Sequence, residues 1–283
     1  MGLWGGPILL PPGIAFAVSG GTFFLTDLRR AGWVQGAAGA YDGAMAHQRP
    51  TIVFDIEVAG FTWEEVDETT RGYLLGREKE PERRDAVPER LALYPGLGKI
   101  IAIGLWLVEQ ERGLILLEGR SAPETTWEKV SHSKIFRGSE RQLLERFWEV
   151  VGARDAMGRV SRLVTFNGRA YDGPMLMVRS AQLELAPSRQ LVPYRYDLTD
   201  HCDLADVLTF QGTTRDRFSL DYWCRRFDVE SPKGSIDGSQ VGRAYRDGRI
   251  EDIGEYCLRD VRATGQLYRR LADTLLPLFK GGQ

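Results

Sequence analysis

The sequence predicts an α/β fold with a mixed central sheet, three antiparallel strands followed by parallel ones, flanked by helices. Three observations predict it. The run TIVFDIEV from Thr51 sets Ile52, Phe54, Ile56 and Val58 against Val53, Asp55 and Glu57, the period-two pattern of a strand. The runs GKIIAIGLWLVE and GLILLEGR, joined by the polar turn QERG, read as an antiparallel hairpin. Helical and strand patterns then alternate toward a long amphipathic helix near the end of the chain.

Taken in order, residues 1–48 are rich in Gly and Ala without sustained periodicity. They are expected to be a leader or extra arm, ahead of one catalytic domain over residues 49–283. The charged stretch from about Trp63 to Arg90 predicts a solvated helix-and-loop excursion. Leu143, Leu144, Phe147, Val150 and Val151 recur at helical spacing between Ser139 and Arg154, and RLVTFNG follows as a buried strand. A helix from about Gly173 leads to a short segment around HCDLADVL. Helices near Phe218–Phe227 and Glu251–Leu275 complete the order, the second followed by Pro277.

Composition narrows the class. The chain is 43% hydrophobic and 27% charged, ordinary for a globular protein. With 37 basic and 39 acidic residues it carries a formal charge of −2, so any grip on nucleic acid must be local rather than a bulk basic coat. Cys202, Cys224 and Cys257 are far apart with no CxxC pair, which fits a reducing cytoplasm better than a disulfide framework. The early apolar stretches are broken by prolines and too short to span a bilayer, and no export signal is expected.

Three acidic motifs carry the chemistry. Asp55 and Glu57 leave the same face of the first strand with Cα atoms about 6.6 Å apart. They need a cation or a partner base unless that face is simply solvated. In TFNGRAYDGPML a buried strand runs into an Asn-Gly turn, and Asp172 stands where a helix begins, as a functional carboxylate or as that helix's N-cap. In IGEYCLRDVRATGQLYRRL the core stripe reads Ile253, Tyr256/Cys257, Asp260/Val261, Thr264, Leu267/Tyr268 and Leu271, which brings Asp260 to the seam one turn after Tyr256. Asp260 is either a buried functional carboxylate or an edge residue of that stripe.

In this order, FDIE, FNGRAYD and YCLRD resemble the three motifs of the DEDD exonucleases of the ribonuclease H-like fold. The resemblance is closest to the predicted 3′ to 5′ exonucleases related to the proofreading domain of family B DNA polymerases, and it extends through SLDYWCRRFDVESPKGSIDGSQVGRAYRDG. It spans about Thr51 to Leu271. Tyr256 stands four residues before the final Asp and Glu255 five before it, which matches the tyrosine subtype rather than the histidine one. His47, His132 and His201 therefore receive no ligand role, and His132 and His201 are expected at the surface or behind the site.

The resemblance implies two divalent cations, Mg²⁺ or Mn²⁺, held by Asp55, Glu57, Asp172 and Asp260, with Asp55 bridging both. Tyr256 would orient the attacking water. Asn167 and Tyr171 would meet the terminal nucleotide by hydrogen bond and stacking, and Lys233 in the loop PKGSIDGS would contact phosphate. The implied substrate is the 3′ end of single-stranded nucleic acid, DNA favoured over RNA. Because the chain ends soon after the third motif, a polymerase or repair partner is expected as a separate protein. Competing readings are an RNA-directed exonuclease and a catalytically inactive nucleic-acid-binding module of the same fold.

Overall fold

The computed structural model describes residues 49–282 apart from Ser235, so the expectation for residues 1–48 lies outside the described residues. Seven strands form one mixed sheet: β1 (Thr51–Gly60), β2 (Gly98–Leu107), β3 (Arg112–Glu118), β4 (Ala122–Thr126), β5 (Ser133–Gly138), β6 (Arg162–Thr165) and β7 (His201–Asp203). Their order is β4-β5-β3-β2-β1-β6-β7. The β1–β2 and β2–β3 pairs are antiparallel, whereas β6 pairs parallel to β1 and β7 parallel to β6. The expected α/β architecture is therefore present, and the arrangement is that of the ribonuclease H-like fold. An unforeseen feature is the far edge, where β5 pairs parallel to β3 and β4 antiparallel to β5.

The alternation in β1 sorts residues between two cores. Ile52, Phe54, Ile56 and Val58 pack on the face covered by α3 (Glu140–Gly152) and α4 (Asp172–Gln182). Val53 packs on the opposite face with α8 (Ile250–Ala272). Ser139 and Gln142 close a capping box at the start of α3, satisfying backbone donors that the first turn leaves free. The buried Glu140 carboxylate then accepts from the Ile100 N–H at 2.8 Å and from Arg179 of α4 at 2.6 Å, which pins both helices to β2.

Between β1 and β2 the excursion forms α1 (Glu68–Arg77) and α2 (Pro81–Asp85), flanked by the 3₁₀ segments Trp63–Glu65 and Pro88–Leu93. It is mostly exposed, but Val66, Leu74, Val87 and Leu91 give it a small apolar core of its own. The remaining short helices are α5 (Leu204–Leu208), α6 (Leu220–Arg226) and α7 (Val241–Arg246). No helix among the described residues is long and apolar enough to cross a membrane.

Candidate active site

The site is built on the middle of β1. Asp55 stands opposite Gly104 of β2, and the register slips between Glu57 and Val58, leaving Ile101 as the extra residue on β2. Ile101 and Ala102 therefore both face the core under α8, while Ile100 and Ile103 face the other side. A Cβ on Gly104 would lie 3.0 Å from Cys257 Sγ and 3.1 Å from its carbonyl oxygen. The bare glycine lets α8 settle close to β1. Gly265 serves the same contact further along, where a Cβ would lie 2.8 Å from Trp106.

That close approach brings Tyr256 and Asp260 to the acidic face of β1. Tyr256 donates its phenol hydrogen bond to the Asp260 carboxylate, one turn away on the helix. The stripe read from the sequence is the buried one, with Ile253, Cys257, Val261, Thr264, Leu267 and Leu271 all turned inward.

Asp172 arrives from the other side. The N-cap of α4 is Tyr171, not Asp172, and Tyr171's side chain does not cap. Asp172 is the first helical residue, and its Oδ1 accepts from the Ile56 N–H at 3.0 Å, between Asp55 and Glu57. Its carboxyl also lies within hydrogen-bonding reach of Asp55. The N-cap alternative is thus replaced by a bond across to β1.

The turn that delivers Asp172 is held from below. Asn167 takes a left-handed φ of 67°, which Asn tolerates better than most residues. The buried carboxylate of Asp203 accepts from the N–H groups of Asn167 (2.8 Å), Arg169 (2.9 Å) and Ala205 (3.0 Å). His201, expected at the surface or behind the site, is buried behind it. Its Nδ1 donates to the Leu191 carbonyl at 2.6 Å, so Nε2 accepts from the Thr165 hydroxyl at 2.8 Å. Burial pushes this imidazole down to about 4, which keeps it neutral.

Electrostatically the site is a concentration of unpaired acid. Burial and the charges of Asp172, Glu57 and Asp260 hold Asp55 well above the usual carboxylate range. Burial, Asp260 and Asp172 do the same to Glu57. Burial pushes Asp172 up to about 7 and Asp260 up to about 6, the latter against the opposing hydrogen bond from Tyr256. Glu57 and Asp172 are buried, while Asp55 and Asp260 keep part of their surface open, so the cluster has a mouth.

The donor set fits a hard divalent cation. Carboxylate oxygens from rigid elements suit Mg²⁺ or Mn²⁺, and a cation would relieve the mutual repulsion that raises these acids. Asp55, Glu57 and Cys257 each place one ligand atom within 4.8 Å of the others. The Cys257 thiol donates to the Asp55 carbonyl at 3.6 Å and is pushed up by burial and by Asp55, so it stays protonated beside the oxygens. Sequence reading took Cys257 as core and missed its place at the site. Asp203 and Gly104 were missed too, although DLADVL after a short buried strand and a lone glycine in β2 were the available signals.

Of the residues expected to meet substrate, Asn167 is exposed beside the turn, and its Oδ1 accepts from Arg217 at 3.3 Å. Tyr171 is half-buried against the core, and its hydroxyl donates to the Ala92 carbonyl at 2.8 Å. Lys233 is exposed and pairs with Asp221 of α6 at 3.2 Å. Its loop passes the acidic cluster, since a Cβ on Gly238 would lie 3.6 Å from the Tyr256 hydroxyl.

A mixed α/β sheet whose first strand, adjoining turn and last long helix converge their acids on one partly open point defines a protein of the ribonuclease H-like exonuclease class. The chain belongs to the family described as predicted 3′-5′ exonucleases related to the exonuclease domain of PolB, which matches residues 97–275. The match takes in the turn before Asp172, the 231–240 loop, Tyr256 and Asp260. Asp55 and Glu57 precede it and join the site through the β1–β2 and β1–β6 pairings. No curated protein matches the chain significantly.

Proposed function

We propose that this protein is a metal-dependent 3′ to 5′ exonuclease acting on single-stranded nucleic acid, DNA in preference to RNA. The observation that carries the reading is the convergence of Asp55, Glu57, Asp172 and Asp260 on one partly open point, with the Tyr256 phenol bonded to Asp260. Two divalent cations, Mg²⁺ or Mn²⁺, would be held there by those four carboxylates. When bound, they supply charge neutralisation, activation of the attacking water and stabilisation of the leaving 3′ oxygen.

The chain's own groups do the rest. Tyr256, held neutral because burial and the nearby acids push its phenol far up, orients water as a hydrogen-bonding group. The Ile56 N–H and the Asp203-braced turn fix the Asp172 carboxylate before substrate arrives. Asn167, exposed beside the turn, would hydrogen-bond the terminal nucleotide. Tyr171, whose hydroxyl is engaged by Ala92, would stack on that nucleotide, and Lys233 would contact phosphate.

The test uses a 5′-labelled linear strand and a covalently closed circle of the same sequence, in DNA and RNA, with Mn²⁺. Progressive shortening of the linear DNA with an intact circle is expected. Nicking of the circle would replace the exonuclease reading by an endonuclease, and faster loss of RNA would reverse the substrate preference.

A further inference from the structure

Beside the acidic cluster, residues 213–227 carry exposed aromatic rings among arginines. Phe218 and Tyr222 stack with centroids 4.2 Å apart and an interplanar angle of 18°, and the Trp223 ring stands edge-on to both. Phe218 is 43% exposed and Tyr222 38%. Among the described residues the other exposed ring pair, Tyr194 and Tyr196, is tilted at 55° rather than stacked face to face. Trp223 is packed against the main core and so anchors the pair from beneath.

The charge around the pair is predominantly positive. The Arg226 guanidinium lies 6.0 Å from the Tyr222 ring centre, and Arg217 precedes Phe218 by one residue. The stretch 213–227 holds four arginines against two aspartates, in a chain whose total charge is −2. Asp221 is engaged by Ser231, Arg225 and Lys233, and among the described residues neither Arg217 nor Arg226 forms an ion pair with a carboxylate.

The patch is tied to the catalytic point on two sides. Arg217 donates to Asn167 in the turn that carries Asp172. Cys224 and Val229 pack on Ala263 of α8, one turn beyond Asp260. A strand whose 3′ end lay among the carboxylates would cross this surface with its next bases.

Resting on the exonuclease reading, we propose that Phe218 and Tyr222, with Arg217 and Arg226, form a stacking and phosphate-binding platform for single-stranded nucleic acid just inward of the 3′ terminus. Each base offers a π-face to the rings irrespective of sequence, and the arginines meet the backbone between bases. Duplex, whose bases are already stacked, would gain nothing from it.

The test compares wild type, Phe218→Ala/Tyr222→Ala and the ring-preserving Phe218→Tyr/Tyr222→Phe as full-length proteins. Three quantities are measured: hydrolysis of a 5′-labelled oligonucleotide, hydrolysis of the p-nitrophenyl ester of thymidine 5′-monophosphate, and oligonucleotide binding by anisotropy in EDTA. The ester reaches the carboxylates without touching the platform. The alanine pair is expected to weaken oligonucleotide binding and raise its KM by about tenfold or more while leaving ester hydrolysis unchanged, and the ring-preserving pair to match wild type. Arg217→Ala is expected to lower the salt dependence of binding by about one ion. Wild-type binding and KM in the alanine pair overturn the platform, including the case in which the surface docks another protein. If wild type hydrolyses neither substrate yet binds oligonucleotide in a ring-dependent way, the exonuclease reading fails and the platform stands; no binding at all overturns both.

Discussion

Replacing Asp172 by Asn removes one buried charge while keeping the Oδ1 that accepts from Ile56. In the metal-free protein Asp172 is raised from 3.8 to about 7, chiefly by burial. An acid raised on folding contributes stability that is present in full below its unfolded value and is lost as pH rises to the folded one. Across that interval of about 3 units the ceiling is about 4 kcal/mol. Because Asp55 shares the same repulsion and relaxes when Asp172 is neutralised, about half of that, ~2 kcal/mol, is expected at pH 8. For a domain of this size the melting temperature in EDTA should rise by about 4–8 °C. The advantage should grow between about pH 4 and 7 and level off above. Thermal unfolding followed by circular dichroism at several pH values gives the comparison. Excess Mn²⁺ should reverse the order, stabilising wild type more than the variant. A variant less stable than wild type in EDTA at pH 8, or an advantage unchanged down to pH 4, would refute the argument that Asp172 is a strained, cation-seeking carboxylate.

Other outcomes follow from the same contacts. Asp203→Ala leaves three backbone N–H groups without their acceptor and is expected to cost about 3 kcal/mol in urea unfolding; Asp203→Asn should lose less. Gly104→Val drives a side chain into Cys257, and a loss of about 1–3 kcal/mol together with a lower kcat should appear in one preparation. Metal-supported hydrolysis should climb between about pH 6 and 7, as Asp260 and Asp172 lose their protons to solvent and take up the cation in their place, and a flat profile from pH 5 would contradict the raised acids. Tyr256→Phe should lower kcat about a hundredfold with little change in KM, measured on the oligonucleotide.

Much of this was legible because the relevant residues break a pattern. Asp55 and Glu57 interrupt an otherwise apolar strand, and Asp260 interrupts a helix stripe whose other members, Tyr256 apart, are buried where the 3.6-residue period put them. β4 and β5 were not legible: APETT is almost wholly exposed and becomes a strand only by pairing with β5. Cys257 was read as core because burial and function coincide there. The Asp203 clamp depends on β7 lying parallel beside β6, which pairs Thr165 with Asp203 itself across a sequence separation that no local pattern displays. The tie between Arg217 and Asn167 is long-range in the same way.

The most direct test is the fate of a 5′-labelled single-stranded DNA oligonucleotide incubated with wild type, Asp55→Ala and Asp260→Ala in Mn²⁺, Mg²⁺ or EDTA. A descending ladder with wild type and either metal, absent in EDTA and in both variants, is the predicted result. Full-length oligonucleotide in every lane, or a ladder of equal strength from the variants, would contradict the assignment of these carboxylates to phosphodiester hydrolysis.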